Sequence, residues 1–129
     1  MNLLVDTQLL LWSAFHRDKL PKKASALLGD SSNTLWASAV SIWEITIKRA
    51  LNKRDFQVDV ASFRAGLLRN GYEELEMKSI HALSLGQLPL IHSDPFDRML
   101  LAQAISEGMF LLTADRELGS YEGPIRFVG

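Results

Sequence analysis

The chain has 129 residues, 47% hydrophobic and 22% charged, with a formal net charge of −1, which describes one globular domain spanning 1–129 and excludes a disordered chain or a strongly basic polyanion binder. It has no cysteine, so disulfides, thiolate metal sites and cysteine nucleophiles are excluded, as suits a reducing cytoplasm. An acid at position 6 comes too early for a signal peptide, and no apolar run approaches the roughly 20 residues that cross a bilayer, so a soluble, cytoplasmic protein is expected.

Leu3-Leu4-Val5 is a short apolar run ended by Asp6-Thr7, a buried strand feeding a helix at about 8–15 that keeps Leu9, Leu10, Leu11 and Trp12 inside. After a polar loop, Pro21 opens a second helix that runs to Leu28 and stops at Gly29. Asp30-Ser31-Ser32-Asn33 is turn chemistry, and residues 34–38 form a second strand. A helix over 41–51 is expected to be amphipathic through Trp43, Ile47, Ala50 and Leu51, with a basic far end at Lys48, Arg49, Lys53 and Arg54.

A further helix is expected over 59–70, then an exposed edge strand over 72–77 and a short helix over 79–86 capped by Ser79. The loop 88–93 leads into Asp94-Pro95-Phe96-Asp97-Arg98-Met99-Leu100-Leu101-Ala102-Gln103-Ala104. There Asp94 is a good N-cap, Pro95 suits the first helical position, and the helix is apolar on most sides until Gly108 ends it. Residues 109–113 make a buried strand, 114–118 turn away, and 125–128 close the fold. Apolar strands alternating with helices predict an α/β domain with a mostly parallel central sheet flanked by helices.

Each of four acids has a structural explanation on its own. Asp6 can cap the first helix, and Glu44 completes an S-x-x-E capping box with Ser41 and pairs with Lys48 four residues on. Asp97 can complement a helix dipole, and Asp115 can cap the turn after Thr113. Their shared placement is the stronger observation, because Asp6 and Asp115 follow strands while Glu44 and Asp97 open helices. In a parallel sheet those positions face one edge, the edge at which open α/β folds bind ligands. Four carboxylates there repel one another unless a cation neutralises them, which points to a hard divalent ion, Mg²⁺ or Mn²⁺. Such an ion can activate water against a phosphodiester, with Thr7, Ser41 and Thr113 as hydroxyl donors beside the acids or simply as local caps.

Leu4-Val5-Asp6-Thr7, Ser41-Ile42-Trp43-Glu44-Ile45, the 94–104 segment and Leu111-Leu112-Thr113-Ala114-Asp115 together resemble a PIN domain. More narrowly, the ordered set is similar to the VapC-type toxins of bacterial type II toxin–antitoxin pairs, over essentially the whole chain. The resemblance implies a Mg²⁺- or Mn²⁺-dependent endoribonuclease acting on structured RNA such as tRNA or ribosomal RNA. It implies Asp6, Glu44 and Asp97 as an acidic triad and Asp115 as the fourth, more variable acid, with Asp94 as a helix cap. It also implies a homodimer and a small antitoxin partner covering the acidic groove.

Lys48, Arg49, Arg98 and Arg116 are candidate RNA contacts, although a solvated helix end or an ion pair explains them as well. His16, His81 and His92 lack zinc spacing; His92, two residues before Asp94, could act near substrate, but reads first as a loop histidine without a special role. Trp12, Trp36 and Trp43 read as core residues. Two other readings stand beside the nuclease. One is a phosphohydrolase with Asp6 as nucleophile, against which position 8 is Gln where that chemistry places a second acid. The other is a non-catalytic PIN-like interaction scaffold.

Overall fold

A computed structural model describes residues 1–51 and 57–129; Lys53 and Arg54 of the basic cluster lie outside the described residues. Five parallel strands form one sheet, β1 (Asn2–Val5), β2 (Thr34–Ser38), β3 (Glu73–Leu75), β4 (Phe110–Thr113) and β5 (Ile125–Phe127), in the order β3-β2-β1-β4-β5. Seven α-helices occur among the described residues: α1 (Thr7–Phe15), α2 (Lys22–Gly29), α3 (Ala39–Ala50), α4 (Val60–Arg69), α5 (Ser79–Leu85), α6 (Pro95–Glu107) and α7 (Arg116–Gly119).

The sheet is covered on both faces, and the period of two along its central strands distributes their side chains between two cores. Leu4 and Leu111 pack with Met99, Leu100, Leu101 and Ala102 of α6. Their neighbours Val5 and Leu112 pack on the other face with Leu9 and Leu10 of α1 and with Phe63 and Leu67 of α4. Burial on both faces is why these strands read as continuous apolar runs. Helix α6 buries six consecutive residues, Met99 to Ala104, and Gly108 ends it in the left-handed conformation at φ 68°. That conformation is one an L-residue with a Cβ adopts only at a cost.

Several helix starts differ from expectation. Pro21 stands at the cap position of α2, and Gly29 lies inside that helix. Lys78, not Ser79, caps α5, with the ring of His81 accepting the Lys78 backbone N–H at 3.0 Å. Helix α3 begins two residues earlier than predicted, capped by Ser38 at the end of β2. Ser41 is therefore inside the helix, the Ser41–Glu44 capping box does not exist, and Glu44 stands in the second turn.

The buried face of α3 also differs. It holds Val40, Ser41, Glu44 and Ile45, whereas Trp43 is 51% exposed and Leu51 is exposed. Trp43 meets Phe96 edge-on at 4.9 Å between ring centroids. Trp12 and Trp36 are half-buried against the two cores, as are Leu11 and Ile42. Helix α3 spends its inward face on two polar side chains, and its largest aromatic residue is displaced outward.

The strand order places the topological switch between β1 and β4. From β1 the chain steps outward through β2 to β3, then returns through α5 and α6 to β4 on the other side. Such a reversal opens a crevice at the carboxyl ends of the two strands.

Candidate active site

Asp6 leaves β1 at this crevice and caps α1, its Oδ1 accepting the Leu9 backbone N–H at 2.8 Å. Its Oδ2 accepts from the Thr113 hydroxyl at the end of β4, so one carboxylate ties the two central strands together. The side chain is 4% exposed. Burial, reinforced by the charges of Asp115 and Glu44 and opposed by those two hydrogen bonds, raises its pKa to about 6.

Asp97 stands in the first turn of α6, behind the cap made by Asp94, whose Oδ1 accepts from Phe96 at 2.8 Å and from Asp97 at 3.3 Å. Burial first, then the charges of Asp94, Glu44 and Asp6, push the Asp97 carboxyl up to about 7. Glu44 is 4% exposed. Its Oε2 meets the Lys48 ammonium at 2.8 Å, while Oε1 is buried with no partner among the described residues.

Asp115 follows β4 and caps α7 through Oδ1, which accepts from Glu117 at 2.8 Å and Leu118 at 3.3 Å. Burial works against its ionisation, but the hydrogen bond from His92 and those two backbone bonds prevail and lower its pKa. The four acids, with Asp94 and Lys48, border one cavity of about 290 Å³. Thr7 borders it too and donates its hydroxyl to Ser41 at 2.8 Å, both buried, so Ser41 supports the site from behind.

The expected basic contacts are only partly present. Lys48 reaches the acids; Arg49 and Arg116 are exposed and border no part of the cavity. Arg98 turns back to the loop before α6, donating to the Leu88 carbonyl at 3.2 Å.

His92 corrects the expectation of an idle loop residue. Its Nε2 lies 3.2 Å from Asp97 Oδ2 and 3.1 Å from Asp115 Oδ2, and its Nδ1 accepts the Asp94 backbone N–H at 3.0 Å. Burial opposes its protonation, yet the hydrogen bond to Asp115 and the charges of Asp97, Asp115 and Glu117 raise its pKa. The signal in the sequence is its position two residues before a helix cap, within reach of that cap's amide.

The donor set fits a hard divalent cation. Oxygen ligands predominate, two carboxyls titrate far above their usual range, and a buried carboxylate oxygen lacks the partner that burial normally demands. By distance alone His92, Asp97 and Asp115 offer one ligand atom each within 4.8 Å of one another.

Comparison with known proteins agrees with this architecture. No curated protein matches the chain by sequence. Among solved structures, a chain of VapBC2 from Rickettsia felis, bound to a DNA fragment from its promoter, superposes with a TM-score of 0.71 at 15% identity, 98% of each chain being covered. VapBC-1 from nontypeable Haemophilus influenzae gives 0.63 at 19% identity, also over 98% of each chain. DNA-bound VapBC from Salmonella typhimurium gives 0.65 at 18% identity, over 98% of this chain and 96% of that one. At such identities the likeness establishes the fold. The PIN domain model matches residues 3–123, and the chain belongs to the PIN domain family.

Proposed function

We propose that this protein is a divalent-metal-dependent endoribonuclease of the VapC type, a toxin that cuts tRNA or ribosomal RNA and is restrained by a cognate antitoxin. The observation that carries the reading is the convergence of Asp6, Glu44, Asp97 and Asp115 on one crevice, with a buried Glu44 oxygen left without a partner. Membership of the PIN family and the fold shared with VapBC chains support it.

Asp6, Glu44 and Asp97 would hold Mg²⁺ or Mn²⁺, with Asp115 completing the set. The bound ion supplies Lewis acidity, lowering the pKa of a water and offsetting charge on phosphodiester oxygens. Thr113 keeps Asp6 oriented, Thr7 and Ser41 fix the wall behind it, and Lys48 holds Glu44 at one oxygen only. Each oxygen of Asp6 accepts one hydrogen bond and keeps a second lone pair for the ion. The antitoxin would cover the acidic crevice, and the toxin would act in the cytoplasm as a homodimer.

The test is cleavage of total cellular RNA by purified, antitoxin-free protein with Mg²⁺ or Mn²⁺, beside its Asp97→Asn variant. Metal-dependent cutting that falls about a hundredfold or more in the folded variant is expected. Cutting that survives the substitution, or that persists in EDTA, refutes the assignment.

A further inference from the structure

His92 is held at three points. Its backbone N–H donates to the hydroxyl of buried Tyr121 at 3.0 Å, its Nδ1 faces the Asp94 backbone N–H, and its Nε2 sits between Asp97 and Asp115. The side chain is 11% exposed, so the ring is seated in the wall of the crevice.

The amide of Asp94 can only donate, so Nδ1 must present its lone pair to it. A neutral imidazole carries one proton, and with Nδ1 as acceptor that proton is on Nε2. A charged ring would put hydrogen on Nδ1 as well and lose that acceptor. In the form the Asp94 amide selects, Nε2 is a donor with no lone pair to offer a cation, although its position satisfies the spacing of a ligand.

We propose that His92 is a positioning residue, whose Nε2–H bonds to Oδ2 of Asp115 while facing Oδ2 of Asp97 at 3.2 Å, holding the two carboxyls as a clamp and so presetting the cation site without ligating the ion. The two acids come from different elements, the first turn of α6 and the end of β4, and their like charges would otherwise drive them apart. The clamp occupies Oδ2 of Asp115 and sets the ring against Oδ2 of Asp97. Oδ1 of Asp115 is already engaged by the amides of Glu117 and Leu118. Oδ1 of Asp97 and the orphaned Oε1 of Glu44 are then the oxygens most open to a cation. Asp115 contributes through a remaining lone pair or through water.

This inference rests on the metal-binding reading above. Its test is two-bond ¹H–¹⁵N NMR of the imidazole rings in the full-length protein, without metal and with Mg²⁺. The expected result is His92 as the Nε2-protonated form in both conditions. A shift to Nδ1–H on addition of Mg²⁺ makes the ring a ligand and overturns the clamp.

Mn²⁺ affinity read by EPR gives the second arm. His92→Ala is expected to weaken binding about tenfold, as loss of an outer hydrogen-bonding partner does, and His92→Gln, which keeps an N–H donor, to recover part of that loss. Equal Mn²⁺ affinity in folded His92→Ala and the parent refutes the clamp alone. No Mn²⁺ binding by the parent refutes the metal reading and the clamp's purpose with it.

Discussion

Replacing Asp97 by Asn should make the metal-free protein more stable, and the gain should depend on pH. Its carboxyl rises from an ordinary 3.8 to about 7 in the fold, which at 1.36 kcal/mol per pH unit destabilises the ionised form by about 4 kcal/mol. Solvent reaches part of the side chain and screens the repulsion, so a net cost of about 2–3 kcal/mol is the working figure. Because the folded pKa lies above the unfolded one, the native state binds the extra proton. Stability in EDTA should therefore fall as pH rises from about 4 to about 7 and level off above it. Asn removes the charge while keeping an acceptor for His92. Urea denaturation in EDTA at pH 5 and pH 8 reads the effect: the variant gains about 2–3 kcal/mol at pH 8, roughly 10 °C in Tm, and only about 1 kcal/mol at pH 5. Saturating Mg²⁺ should stabilise the parent at pH 8 far more than the variant. A variant equal to or less stable than the parent at pH 8 in EDTA would refute the account of a repulsive cluster.

Gln103 is fully buried, joining Ser38 at the cap of α3, the Glu76 carbonyl and the ring of His81. Gln103→Ala strands those groups and should cost about 2–4 kcal/mol in urea denaturation, whereas a loss below about 1 kcal/mol would mean that the network carries no stability. At Gly108 a Cβ would meet nothing within 4 Å, but φ is 68°. Gly108→Ala should therefore cost about 1 kcal/mol from backbone strain alone, and a stabilising effect would contradict the left-handed cap.

Helix α6 was legible because its signals are local. Asp94, Pro95 and Gly108 each satisfy a backbone requirement within a few residues, and the apolar run between them has no other reading. The phase of α3 was not legible, because apolar spacing selects Trp43, Ile47, Ala50 and Leu51 while the structure buries Val40, Ser41, Glu44 and Ile45. A helix that supplies a site gives inward positions to polar groups, and a rule that equates burial with hydrophobicity then turns it the wrong way. Ser38 also outcompetes Ser41 as cap, since it stands where β2 ends and the backbone must already turn. The convergence of the four carboxylates followed from parallel-sheet geometry. The part of His92 did not, because Asp115 is brought to it by the fold from 23 residues along the chain.

The hydrogen bond between Thr113 and Asp6 joins residues 107 positions apart, and β1 finds its β4 partner at a similar separation. Closing so long a loop must precede any reward from the contact, so the central strand pair is expected to form late and comparatively slowly in folding. The crevice inherits that timing. A chain extended only as far as α6 has Asp6, Glu44 and Asp97 but not the strand that orders the first of them. The crevice is thus complete only once the final strands are in place.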